Sequence, residues 1–344
     1  MSTALETSPP TPTTTPSPTS APGRPRRRGT PAWVGAIGYL VVLAEVVLFS
    51  LATDRFLAPE NLFNIVSQGA VYAIAGFGLA VVIITGGDDV IKGGIDLSTG
   101  VLAGLSGIVA AVAIQAGLPT PAAVLLALVV SALFGLVNGT AVVLGVRPLL
   151  TTLATMGIVG SVTFVATDNV KIPLNDPFFD WLRGGDVLGV PTPVVVLLGV
   201  YLVMSALVGG STWGLRSYAV GQNPVAATVA GIRPTRYIAG SYVVSALLAG
   251  IAGLLLASRL SPAVPGIGGQ ILLDIVLAGF MSVVFSRRLV VSITGTLMSA
   301  LFVAALANGF TLLGVESQWV GAVKGLLILL VLAVAAIRER TVRR

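Results

Sequence analysis

The densest chemistry in this chain lies in Gly86-Gly87-Asp88-Asp89-Val90-Ile91-Lys92-Gly93-Gly94-Ile95-Asp96-Leu97-Ser98-Thr99-Gly100, where glycines and three acids interrupt two apolar runs. Glycine at that density disfavours continuous helix, and Asp96 or Ser98 is placed to cap the helix that follows. Two readings fit. One is a plain turn with an N-cap; the other is a broken helix near 86–98, a half-helix at membrane depth, tolerated where backbone is buried in protein or lines a wet cavity. Gly94, Asp96 and Ser98 matter in both. Asp274 is the second candidate, because a carboxylate within an apolar run costs about 2.5–3.5 kcal/mol on insertion scales. It is read either as flanking a translocation path or as solvated near a span end after Gly268-Gly269. Glu45 and Lys324 raise the same question, each close enough to a span end for interfacial relief.

Enzymatic chemistry finds little support. The chain has no cysteine and no histidine, which removes disulfides, thiolate catalysis, the commonest metal ligand and the side chain best suited to proton transfer near neutrality. Lys92 and Lys324 are each followed by glycine, so no G-x-x-x-x-G-K-[ST] loop exists to cradle ATP. No G-x-S-x-G elbow, H-E-x-x-H helix or paired-carboxylate site is present either. The expectation is a chain without catalytic, cofactor or metal residues of its own.

The elements that must position these residues are apolar. Of 344 residues, 55% are hydrophobic and 10% charged, against about 25% charged in soluble domains. Residues 1–31 are rich in Pro, Thr and Ser and end in an Arg cluster; they read as a retained, disordered tail, since a signal peptide would place its apolar stretch nearer the start. Ten apolar runs follow, at 32–52, 62–86, 98–117, 121–146, 149–167, 191–210, 237–258, 270–286, 289–314 and 318–337, each near the roughly 20 residues that cross a bilayer. The fold expected is all-α and polytopic, a transmembrane domain over 32–337 followed by a basic tail at 338–344.

Basic residues orient it. With the N-terminus inside, fifteen of the twenty Lys and Arg fall on the cytoplasmic side, as the positive-inside tendency requires. The loop at 168–190 then lies outside and carries Asp168, Asp176, Asp180 and Asp186 against two basic residues. Both termini are expected to be cytoplasmic, and the net charge of +6 marks topology and not nucleic-acid binding.

Asn138-Gly139 in the fourth run, with Leu144-Gly145-Val146 after it, matches Asn308-Gly309 in the ninth, with Leu313-Gly314-Val315 after it. Runs five apart cross in opposite directions, the arrangement of inverted-topology repeats around a central site. The alternative is a coincidence of common helix-ending and membrane residues. Asn138 and Asn308 enter the candidate path on this basis. Within the loop at 211–236, Pro224 suits a first helical turn and Gly231 a stop. A helix so short is marginal alone and must dock, either on its own membrane domain or in the groove of a nucleotide-binding partner.

From Asn61 to Ile337 the sequence resembles the ribose-type permeases of bacterial ABC importers, relatives of the branched-chain amino acid permeases. The resemblance rests on Gly93-Gly94-Ile95-Asp96-Leu97-Ser98 with Gly100, on Gly221-x-Asn223-x-x-Ala226-Ala227-x-x-x-Gly231-Ile232, and on Gly250-Ile251-Ala252-Gly253 with Ser258-Arg259. It implies that Asn223, Pro224, Ala226, Ala227, Gly231 and Ile232 form the contact on which a separate cytoplasmic ATPase acts. It also implies an extracytoplasmic solute-binding protein, a second permease subunit, identical or homologous, and ATP bound only by the partner. Two departures stand out: an insertion at 88–93, and Phe280-Met281-Ser282-Val283-Val284-Phe285-Ser286-Arg287-Arg288 where the family has a glycine-rich stretch after Asp274. The expected function is import of a monosaccharide by alternating access. The rivals are an ion-coupled secondary transporter, which would need Asp274 or Glu45 as its ion site, and a permease for branched-chain amino acids or nucleosides.

Overall fold

The computed structural model describes residues 37–87, 94–286 and 290–342. The N-terminal tail, the insertion at 88–93, Arg287, Arg288, Arg343 and Arg344 lie outside the described residues. The architecture is all-α, with thirteen helices among the described residues. Ten carry the apolar runs: α1 (Ile37–Ala52), α2 (Pro59–Gly86), α3 (Ser98–Gln115), α4 (Thr120–Val143), α5 (Pro148–Val165), α7 (Thr192–Gly209), α10 (Pro234–Leu260), α11 (Ile267–Met281), α12 (Ile293–Leu312) and α13 (Ser317–Val342). Eight of them are long and apolar enough to cross a membrane, α11 counting with the 3-10 turn that extends it to Phe285; the apolar stretches of α1 and α13 among the described residues are shorter.

Sequence explains several helix starts. Pro59, Pro148, Pro177, Pro224 and Pro234 each stand in a first turn, where a missing N–H costs nothing and φ is preset. Ser211 and Ser292 accept from the amides of Gly214 and Gly295 to cap α8 (Thr212–Gln222) and α12.

Packing divides the helices into two classes. The most apolar stretch of α2 is 94% buried, whereas those of α4, α5 and α7 are 22–28% buried. The central α2 is surrounded by α10, α12, α11, α7 and α8, with small residues such as Ala70, Ala73, Ala75 and Ala80 fully buried along it; small side chains let helix backbones approach closely without a hydrophobic drive between them. The outer helices expose Leu125, Leu133, Val137, Leu153 and Leu202, the surface a hydrocarbon solvent accepts.

The first turns of α3 and α11 meet. A β-carbon on Gly100 would strike the Gly268 carbonyl, and one on Gly268 the Gly100 carbonyl, so glycine is what permits this approach of backbones. At one end of the molecule, α6 (Pro177–Gly184), a two-residue hairpin β2 (Asp186–Val187) and β3 (Val190–Pro191), and the bridge of β1 (Ile172–Pro173) to β4 (Pro262–Ala263) form a cap. Asp176 caps α6 by accepting from Phe178 N at 2.9 Å, and Thr120 Oγ1 donates to its other oxygen at 2.6 Å. The opposite end carries α8 and α9 (Pro224–Val229).

Candidate functional site

Gly94 to Leu97 have no regular structure and lie along the last turns of α2, Gly94 against the Val82 carbonyl. They deliver Asp96, 1% exposed, into the interior beside the middle of α10. Its Oδ1 accepts from Ser98 N at 3.0 Å and Ser98 Oγ at 2.5 Å, and its Oδ2 accepts from Ser245 Oγ of α10 at 2.9 Å. Ser98 Oγ in turn accepts from Asn138 Nδ2 of α4 at 2.9 Å, and Asn138 Oδ1 accepts from Thr155 Oγ1 of α5 at 2.5 Å. Thr152 Oγ1 reaches the Ile95 carbonyl at 3.4 Å. One buried chain of hydrogen bonds thus joins the start of α3 to α4, α5 and α10. Asp96, Ser98 and Asn138, three expected site residues, meet here; the N-cap position of α3 falls on Leu97, between the two residues expected to cap it, and Asp96, one residue before that position, accepts from the Ser98 amide.

Asp274 and Asn308 stand elsewhere. Asp274, 3% exposed, pairs with Lys324 Nζ of α13 at 2.5 Å and lies beside Tyr72 of α2. The Tyr72 hydroxyl accepts from Gln68 Nε2 at 2.9 Å. Asn308 exchanges two amide hydrogen bonds with Asn61 near the start of α2, both 2.9 Å, and Asn61 also donates to the Phe56 carbonyl at 2.8 Å. Each asparagine of the two matching motifs is therefore buried and bonded to a polar residue in the first turn of another helix. The glycine after each is in tight contact, Gly139 on the Ala239 backbone and Gly309 on the Phe49 ring.

At the opposite end, Asn223 Oδ1 accepts from Ala226 N at 2.9 Å and caps α9, Pro224 fills its first turn, and Gly231 takes φ +80° just after it, so the start and stop lie where the sequence places them. Ala227 is buried, while Val225 and Val229 are 73% and 87% exposed. Spacing of four puts these valines on one face of a single turn, an exposed apolar pair that the motif residues alone do not reveal. The preceding α8 is rooted in the membrane domain: Gly221 abuts the Ile84 carbonyl and Gly87, so that a β-carbon at either Gly87 or Gly221 would strike backbone. Tyr218 Oη donates to the Val291 carbonyl at 2.9 Å, and burial pushes that hydroxyl's pKa up. The exposed α9 is thereby joined through backbone to the end of α2, from which the chain leads to Asp96.

Only tertiary packing brings these partners together. Ser245 and Tyr72 are polar side chains within apolar helices without periodic signal; Thr155 belongs to a buried row at a spacing of four with Thr151 and Thr163, and Lys324 is conspicuous as a charge in an apolar run.

The family described as branched-chain amino acid transport system / permease component matches residues 61–332. The chain is 34% identical over 298 residues to the ribose import permease protein RbsC of Bacillus subtilis (strain 168), covering 85% of this chain and 89% of that protein. Against the ribose import permease protein RbsC of Escherichia coli (strain K12) it is 35% identical over 318 residues, 90% of this chain and 96% of the relative. The autoinducer 2 import system permease protein LsrD of Escherichia coli (strain SMS-3-5 / SECEC) is 29% identical over 311 residues, 87% and 90% respectively. No solved structure matches.

Proposed function

The chain belongs to the branched-chain amino acid transport system / permease component family, a multi-pass, non-catalytic ABC importer subunit of the ribose type, and from that premise we propose that it carries a monosaccharide inward by alternating access. Relatives named for ribose and for autoinducer 2 import support a small solute of this kind. Importers of this class work with an ATPase and a solute-binding protein; here α9 is the ATPase contact, a second permease subunit completes the pathway, and the α6 cap faces the binding protein. Both termini are cytoplasmic, the side on which most Lys and Arg fall.

The observation that carries this reading is the rooted α9: a short exposed helix with Val225 and Val229 outward, joined by Gly221 to the end of the central α2. A solute pump needs an energy input that changes the relative stability of its outward and inward states, and a chain without an ATP site must receive it through contact. Asp96 and its partners are the joint that such a push reaches, with Gly94 to Ser98 as a broken helix at membrane depth. The meeting of the α3 and α11 first turns, with the buried Asn138 and Asn308, supports inverted repeats.

The test is reconstitution of this chain with its ATPase and binding protein in sealed vesicles. The reading expects D-ribose or another neutral sugar to accumulate only with ATP, and vanadate to stop it. Accumulation without the ATPase, or its collapse with the proton gradient while ATP stays high, would contradict the reading.

A further inference from the structure

Beneath the α6 cap lies a cavity of about 440 Å³ between the α2 and α10 ends, within the roughly 300–1,000 Å³ of small-molecule sites. Its polar lining is Glu60, Asn64 and Ser67 of α2, Arg183 and Asp186 of the cap, and Arg259 of α10. Arg259 is the unusual member. Its Nη2 donates to Asn64 Oδ1 at 2.8 Å and to Gln68 Oε1 at 3.5 Å, and among the described residues no carboxylate lies within ion-pair distance of it. Two amide oxygens hold the guanidinium in place without neutralising it. Three of its five donors need no bond to the protein, and planar, preoriented donors of this kind suit recognition of paired oxygens. Gln68 donates to Tyr72, which lies beside Asp274 and its partner Lys324, so polar side chains lead inward from the cavity floor into the membrane domain. Ionisable groups at such depth mark solute pathways more often than they mark scaffolding.

Resting on the importer reading above, we propose that this cavity is the outer solute vestibule and that Arg259, positioned by Asn64 and Gln68, is the side chain the solute meets there. The lining sets the ligand class. Arg183 is already paired with Asp180, which leaves Arg259 facing Glu60 and Asp186, so the lining has no excess positive charge with which to select an anionic solute. Donors and acceptors alternate with apolar surface from Phe63, Val71 and Leu255. That combination fits a neutral, hydroxyl-rich ring of monosaccharide size, with a hydroxyl rim and an apolar face. A free amino acid would set its carboxylate against Glu60 and Asp186.

The absence of cysteine makes the test direct. In the full chain assembled with its ATPase and binding protein, Ser67→Cys should react with a membrane-impermeant thiol reagent added on the binding-protein side. D-ribose-loaded binding protein should slow that reaction. Arg259→Gln should lower maximal D-ribose uptake by about tenfold, the weight of one charge-assisted hydrogen bond, with the melting temperature and assembly of the complex retained; Arg259→Lys should recover part of the loss. If Ser67→Cys stays inert while Leu188→Cys at the hairpin tip is labelled, or if Arg259→Gln transports as well as the wild-type complex, the vestibule assignment is overturned and the importer reading stands. If the wild-type complex takes up no neutral pentose or hexose from a full panel, the monosaccharide reading falls and the ligand class assigned here falls with it.

Discussion

Two of the buried carboxylates in this membrane domain, Asp96 and Asp274, are held in different ways. Asp96 is held by neutral donors only: one backbone amide and the hydroxyls of Ser98 and Ser245, with Asn138 and Thr155 behind them. Asp274 is held by a cation, Lys324, on the last helix of the chain. The first arrangement spreads one charge over four elements and fixes their relative positions. The second concentrates the interaction in one contact between α11 and α13. The difference assigns distinct work: the Asp96 chain is a joint, tying the start of α3 to α4, α5 and α10, while the Asp274 pair closes the inner end of a polar track.

Breaking the pair should give the largest effect. Lys324→Met leaves Asp274 buried without its cation, and loss of one partner of a buried ion pair costs about 3–5 kcal/mol. Thermal unfolding in detergent should show a large loss of stability, and Asp274→Leu combined with Lys324→Met should restore most of it, because the charge and its partner leave together. A double variant no more stable than Lys324→Met would refute the pairwise account. Asp96→Leu comes next. It removes three hydrogen bonds, to the Ser98 amide and the hydroxyls of Ser98 and Ser245, at about 0.6 kcal/mol each in membranes, and no single second substitution should rescue it, since three donors are orphaned. Rescue by Ser245→Ala alone would show that the joint is a pair like the other. Asn138→Leu removes two bonds of the same chain and should cost about 1 kcal/mol, given an average near 0.6 kcal/mol for interhelical hydrogen bonds in membranes. Smallest of all is Glu45→Gln. Glu45 is 5% exposed with neither oxygen hydrogen-bonded among the described residues, so replacing its carboxyl group by an amide should leave ATP-driven uptake unchanged and stability equal or higher. Loss of uptake with Glu45→Gln would revive the ion-coupled reading.

Much of the scaffold was legible because bilayer thickness sets the length of an apolar run. The run at 191–210 is α7, the run at 121–146 is α4 with its terminal loop, and the run at 270–286 is α11 with the turn after it. Caps and stops were equally readable at Asn223, Pro224 and Gly231, because each acts on its nearest neighbours. What escaped was tertiary. Nothing about Ser245 distinguishes it from other serines in apolar helices until α10 carries it to Asp96. Lys324 stood out as a charge in a span, yet its partner lies fifty residues earlier in the chain. The cap also went unseen, since α6 and the two-residue bridges at 172–191 are too short for a periodic signal and are held by contacts such as Ser258 Oγ to the Phe179 carbonyl at 2.6 Å.

The claim on which the rest depends is that work enters this chain through α9. Val225→Asp combined with Val229→Asp places two charges on its exposed face while leaving the buried Ala227 and the Asn223 cap intact. In vesicles containing the ATPase and the binding protein, the account predicts loss of ATP-driven uptake with unchanged melting temperature and with the ATPase still hydrolysing ATP on its own. Undiminished ATP-driven uptake by that double variant would contradict it.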